Sequence, residues 1–450
     1  MSKANNITFL LDYFHEYNHQ VAVIWKEHSV TYKHILDRIY HWVTEFESIP
    51  ENAIVGLEGD FSPETIAILF ALIQNNYVVV PFDINHKEKN IKKFEIAELD
   101  YIIRVNDEKN ITIDKLIGTP TKYGLYQKLF SNNDPGLVLF TSGSSGTPKA
   151  ALHNFTLLLN KFKTKRKALK TINFLLFDHW GGLNTLFHIM SNGGVVVILQ
   201  NRTPDYVCEL IFNHKVELLP TSPTFLNMLL ISRAYERFSI DSLKIISYGA
   251  EPMPEILLKN LNKLFPNIVL QQTYGLIELG VMRSKSEGNG SLWVKIGGEG
   301  YQVRVIDNML EIKSESAMLG YLNAPSPFTE DGWFMTGDSV EVNGDYFRIL
   351  GRKSELINVG GEKVYPQEVE NVILEIEGVN DVLVYGDNNP LTGKVVCAKV
   401  FYIGDLLKKE LINKIKSTCR IKLETFKVPV KLEIVDNPFR SDRFKKQRIN

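Results

Sequence analysis

The sequence predicts an α/β protein, with a large multi-layer N-terminal domain over residues 1–350 and a small α+β C-terminal domain over residues 351–450. Three observations carry this. Strand-like and helix-like patterns alternate through most of the chain, which is how α/β proteins read. A fresh set of helix and strands begins near Gly351. And 450 residues exceed what a single ordinary core accommodates.

The elements follow in order. Ala53 to Gly56 is a short apolar run; Ser62 then offers an N-cap hydroxyl, Pro63 fits the first helical position, and an apolar helix runs to Leu72. Tyr77 to Val80 reads as a buried strand, and similar runs recur at Leu137–Phe140, Val195–Leu199, Leu243–Ser247 and Ile268–Gln271. The Ser-, Gly- and Asn-rich segment Ser284 to Ser291 reads as a flexible connection. In the second unit Pro366 opens a helix whose Val369, Val372, Ile373 and Ile376 share one face, with Gly378 just past its end. Val382–Tyr385 and Val395–Tyr402 follow as strands, and Leu406–Cys419 as a helix.

Composition narrows the function. Apolar residues make up 44% and charged residues 23%, ordinary for a globular enzyme. A net charge of -1 argues against a partner bound by phosphate neutralisation, so no nucleic acid is expected. The basic stretch Arg440–Arg448 reads, on composition alone, as a solvated tail. Cys208, Cys397 and Cys419 have neither metal-ligand nor redox spacing. Met1–Tyr13 lacks signal-peptide character, and the apolar run Thr65–Pro81 is interrupted by Gln74, Asn75 and Asn76, so no membrane span and a cytoplasmic location are expected.

The sharpest local signal is Thr141-Ser142-Gly143-Ser144-Ser145-Gly146-Thr147-Pro148-Lys149, directly after an apolar strand. Glycines let backbone N–H groups turn onto an anion, the hydroxyls add donors, and Lys149 adds charge. It differs from the Walker A loop, because Pro148 stands between the glycine side and the lysine, and Ala150 follows. Gly249-Ala250-Glu251-Pro252 and Gln272-Thr273-Tyr274-Gly275-Leu276-Ile277-Glu278 each follow a strand. Alone, each would pass for an ordinary turn.

Together these motifs resemble the adenylate-forming superfamily of AMP-binding enzymes: acyl- and aryl-CoA synthetases, peptide-synthetase adenylation domains and beetle luciferases. The resemblance covers almost the whole chain, in motif order, and implies a mobile C-terminal domain. It implies that Thr141–Lys149 receives the phosphates of ATP, that Gly249, Ala250, Glu251, Tyr274 and Gly275 wall the adenine, with Tyr274 as a stacking face, and that Glu278 with Thr141 holds Mg²⁺. Asp338, in Trp333–Asp338, and Arg352 are similar to the family's ribose-binding pair. His179 resembles the gate of the acyl pocket, with Asp178 as a substrate-amine partner if the register shifts by one. Gly361 matches a glycine lining the pantetheine channel, Ser354 stands at the hinge, and Lys445 (Lys446 in the alternative register) matches the lysine that bridges carboxylate and α-phosphate. Departures from the family pattern are Ile277, Ser354 and Phe444.

The expected activity is therefore an acid–thiol ligase that forms an acyl-adenylate from ATP and a carboxylic acid, then passes the acyl group to coenzyme A. A second acceptor fits equally, the phosphopantetheine arm of an acyl carrier protein. A third reading is a non-catalytic nucleotide-binding relative. Leu276, Ile277, Leu279 and Val281 give the acid pocket an apolar look, favouring a fatty or aromatic acid.

Overall fold

The computed structural model describes residues 7–84, 87–107, 110–116, 124–141, 147–298 and 300–439. Among them the chain builds two seven-stranded sheets, a six-stranded sheet, a five-stranded sheet and a two-stranded hairpin. The first sheet runs, in spatial order, Val269–Gln272, Ile245–Tyr248, Leu218–Thr221, Lys170–Ile172, Val195–Val197, Val21–Trp25 and His28–Thr31. All its pairings are parallel except the closing hairpin. The second has Gly136–Thr141, Val78–Asp83, Ile54–Gly59 and Tyr101–Asp107 in parallel, with antiparallel strands at both edges.

One core joins the two sheets. Val23 and Val196 come from the first, Val55, Val79 and Leu137 from the second, and the helices Pro63–Gln74 and Trp180–Ser191 supply much of the rest. Every residue from Pro63 to Ile73 is buried, which explains why that helix is apolar all round rather than on one stripe. Its start is built as the sequence indicated: Ser62 Oγ accepts from Thr65 N at 3.0 Å, with Pro63 following. No described helix is long and apolar enough to cross a membrane.

Residues 284–352 add the six-stranded antiparallel sheet. The segment Ser284–Ser291 is not the free connection its composition suggested. Its polar side chains act as a surrogate strand along the edge strand Val269–Gln272: Gln272 N donates to Ser286 Oγ (2.8 Å), Ser284 Oγ to Gln272 O (2.8 Å) and Leu270 N to Asn289 Oδ1 (2.7 Å). The same residue types that make a loop soluble can also satisfy a sheet edge.

Beyond Arg352 lies a separate core. Ile357, Val364, Val369, Ile373, Val382, Val384, Val396, Val400, Leu411 and Ile415 pack together without residues from the preceding sheets. The helix Pro366–Leu374, the long hairpin Val379–Asn389 and Gly393–Tyr402, and the helix Lys408–Lys422 build it. Gly378 takes a φ of +84° between helix and strand.

Candidate active site

The parallel strands of the first sheet deliver their carboxyl ends to one place, as open α/β sheets do. Thr221, Tyr248 and Gln272 lie in register at the ends of adjacent strands, and Ser222–Thr224, Gly249–Pro252 and Thr273–Glu278 follow them. Gly249 is required by this convergence: a Cβ there would sit 2.7 Å from Thr273 O and closer still to Thr273 Oγ1. That is a packing reason, distinct from making room for a base. Ala250 holds a φ of +70°, a left-handed conformation that costs a non-glycine residue energy and is retained where a site needs it.

Two cavities flank this turn. The larger, about 1000 Å³, runs past His179, Pro220, Thr221, Ser247, Gly249, Leu276 and Ile277. The smaller, about 460 Å³, is a cleft between the N-terminal unit and the helix Pro366–Leu374, and holds Glu251, Pro252, Tyr274, Asp338, Gly351 and Arg352. Ala250, Thr273 and Gly275 line both, so they form a shared wall. Leu279, expected in the acid pocket, is instead fully buried in the core beneath it.

Polar side chains run along the smaller cavity and past the hairpin Gly275–Leu276 and Gly280–Val281. Asp338 is buried and pairs across two strands with Arg352, whose Nε donates to Oδ1 at 3.1 Å. Tyr274 Oη donates to Asp338 Oδ2 at 2.6 Å, so the phenol orients the carboxylate besides presenting its ring to the cavity. Burial pushes the Asp338 carboxyl upward, against the opposing pull of Arg352 and Tyr274. The tight hairpin, where a Cβ on Gly275 would meet Gly280 O at 2.9 Å, carries Glu278 in its turn. Glu278 Oε1 accepts from Tyr321 Oη at 2.5 Å, and Lys149 Nζ stands 5.3 Å from the centre of the Tyr321 ring.

Of the phosphate loop, Thr141 and Lys149 face each other as the last and first residues of paired antiparallel strands. Ser142, Gly143, Ser144, Ser145 and Gly146 lie outside the described residues, as does the basic tail with Phe444, Lys445 and Lys446. The backbone on either side of Lys149 is held by a residue the motif reading missed. Asn323 Nδ2 donates to Pro148 O at 2.9 Å, while its Oδ1 accepts from Ala150 N at 2.9 Å. Tyr321 was missed too. Both sit on or beside a two-residue edge strand, Gly320–Tyr321, too short to show a periodic pattern.

His179 lies at the N-terminus of the helix Trp180–Ser191 and lines the larger cavity. Asp178 is buried near Asp60, Asp83 and Arg202, so its charge belongs to that group. Gly361 lines neither cavity: it sits in the turn between Ile357–Val359 and Glu362–Val364 with a φ of +98°, and a Cβ there would meet no atom within 4 Å. Backbone conformation, rather than crowding, accounts for that glycine in this arrangement. The last described residues reach the smaller cavity, with Pro438 in its wall and Phe439 N donating to Asp381 Oδ2 at 2.8 Å.

A family model described as AMP-binding enzyme matches residues 12–310, and one described as AMP-binding enzyme C-terminal domain matches residues 368–442. The chain belongs to the AMP-binding enzyme family. This AMP-binding enzyme is similar to a 2-succinylbenzoate–CoA ligase of Bacillus pumilus, at 25% identity over 95% of this chain and 94% of the relative. It is similar to a long-chain-fatty-acid–CoA ligase of Bacillus subtilis at 24% identity, over 85% of this chain and 69% of the relative. The solved anthranilate CoA ligase AuaEII, in complex with anthranoyl-AMP, shares the fold with a TM-score of 0.83 at 17% identity, over 98% of this chain and 95% of that one. This AMP-binding enzyme is an acyl-CoA-synthetase-like ligase of the AMP-forming kind.

Proposed function

We propose that this AMP-binding enzyme joins a carboxylic acid to coenzyme A in two steps. A carboxylate oxygen attacks the α-phosphorus of ATP, the bond to the bridging oxygen breaks, and pyrophosphate leaves with that electron pair. The thiolate of coenzyme A then attacks the acyl carbon and AMP leaves. The observation that carries the reading is the shared wall of Ala250, Thr273 and Gly275, which lets an acid in one cavity meet a nucleotide in the other.

Asp338, aimed by Tyr274 and Arg352, is suited to accept from the vicinal hydroxyls of a ribose. Thr141–Lys149 takes the leaving phosphates, and Lys445 takes the charge that develops on the attacking and α-phosphate oxygens. Glu278 and Thr141 offer hard oxygen donors for Mg²⁺. Among the described residues no cluster of three or more His, Cys, Asp or Glu could hold a metal, so phosphate oxygens would complete the shell. When bound there, the cation neutralises phosphate charge. His179 shields the acid, and the turn at Gly361 approaches the thiol's pantetheine arm only after the C-terminal unit, 351–450, turns about Ser354.

The test is acid-dependent exchange of labelled pyrophosphate into ATP. Exchange should vanish in Glu278→Ala and fall by at least about a hundredfold in Lys445→Ala. A protein that binds ATP yet exchanges with no acid would overturn the proposal. Kinetics with coenzyme A and with a carrier protein then assign the acceptor.

A further inference from the structure

The larger cavity is less apolar than its sequence suggested. Among the described residues its wall carries one carboxylate, Glu315, against Lys161, Arg166, Lys167, Arg202 and Arg283. Arg202 is matched, since it lies among Asp60, Asp83 and Asp178 and donates to Phe174 O at 2.7 Å. Lys161 is not. Its ammonium donates to Asn184 Oδ1 and to Val281 O (2.8 Å), both neutral, and among the described residues neither Lys161 nor Arg166 forms an ion pair.

Burial and the neighbouring Arg166 and Arg283 hold Lys161 down to about 7. His188, also in the wall, is held down to about 4 by burial, Arg166 and Lys161. Both sit among cations, and among the described residues Lys161 and Arg166 have no carboxylate paired with them. Beside Lys161 lies Trp180, which is 2% exposed and whose indole N–H has no acceptor among the described residues. Its ring stands 5.8 Å from Lys161 Nζ. A half-buried cation without a counter-charge is costly unless something supplies one.

Resting on the ligase reading above, we propose that the acid activated here carries a second anionic group, received by Lys161 and Arg166. The carboxylate to be activated lies at the shared wall, and the second group lies toward Lys161. A phosphate of the thiol cosubstrate would satisfy the same cations, but pyrophosphate exchange contains no thiol and separates the two.

The experiment is pyrophosphate exchange on the full chain with aromatic and aliphatic dicarboxylic acids, each paired with the monocarboxylic acid lacking the second group. The dicarboxylic acids should be preferred in kcat/KM. Lys161→Met and Arg166→Ala should each raise their KM by about ten- to a hundredfold, leaving the KM of the monocarboxylic acids within about twofold. Arg166 is exposed, so its variant keeps the test valid should Lys161→Met fail to fold. Preference for monocarboxylic acids, or a loss confined to the thiol-dependent step, overturns this inference while leaving the ligase reading standing. Exchange with no acid overturns both.

Discussion

Tyr274 shows how one side chain links local geometry to chemistry. Its ring lies in the cavity wall while its hydroxyl satisfies a carboxylate that burial would otherwise neutralise. Removing that hydroxyl in Tyr274→Phe takes away a charge-assisted hydrogen bond worth roughly 1.5–3 kcal/mol. The KM for ATP should rise by about ten- to a hundredfold as the carboxylate loses its aim, and the thermal midpoint should fall, because the lost bond is internal to the protein. Asp338 should also become harder to ionise, so the acid limb of the pH–rate profile should move to higher pH; an unmoved limb would show that Tyr274 does not tune it. Gly249 makes the complementary point, because its missing side chain is what lets two strand ends touch.

At the scale of elements, the strand Lys149–Asn154 carries a buried titratable group, His153, one residue from its end. Burial holds its imidazole down to about 4, against an ordinary value of 6.5. Between pH 6.5 and pH 4 the unfolded chain therefore takes up a proton that the folded chain refuses, and stability falls as pH falls through that window. The full effect is at most about 3 kcal/mol. Urea midpoints measured at pH 7 and pH 4.5 should converge in His153→Phe relative to the parent; an equal loss in both would assign the acid sensitivity elsewhere. Elements were also where the sequence was most legible. Ser62-Pro63 announced a helix start, and apolar runs announced the strands, because caps and burial are local properties. Ser284–Ser291 misled because its composition is that of a loop, whereas its partner strand lies elsewhere in the chain.

For the whole molecule, the residues beyond Arg352 pack a core of their own, which is the ground on which we propose a boundary near Gly351, and polar contacts cross it. Tyr365 Oη donates to Ser339 Oγ at 2.7 Å, and Asn227 Nδ2 to Asn380 O at 2.7 Å. Residues 351–450 produced alone should unfold cooperatively in urea, monitored by circular dichroism; a gradual, non-cooperative loss would move the boundary. Candidate site residues named from motifs, such as Asp338, Arg352 and Glu278, could be proposed from sequence because each sits in a local pattern. Lys161, Arg166 and Arg283 could not, since only the packing of distant segments brings their charges to one cavity.

The shared wall has a consequence for selectivity. In the reaction proposed above, Ala250, Thr273 and Gly275 would fix where the reacting carbon stands, and Lys161 would mark a second point along the same cavity. Two fixed points make a ruler. Across a homologous series of acids, turnover should then pass through a maximum at one chain length, where a greasy pocket open at its far end would reward every added methylene.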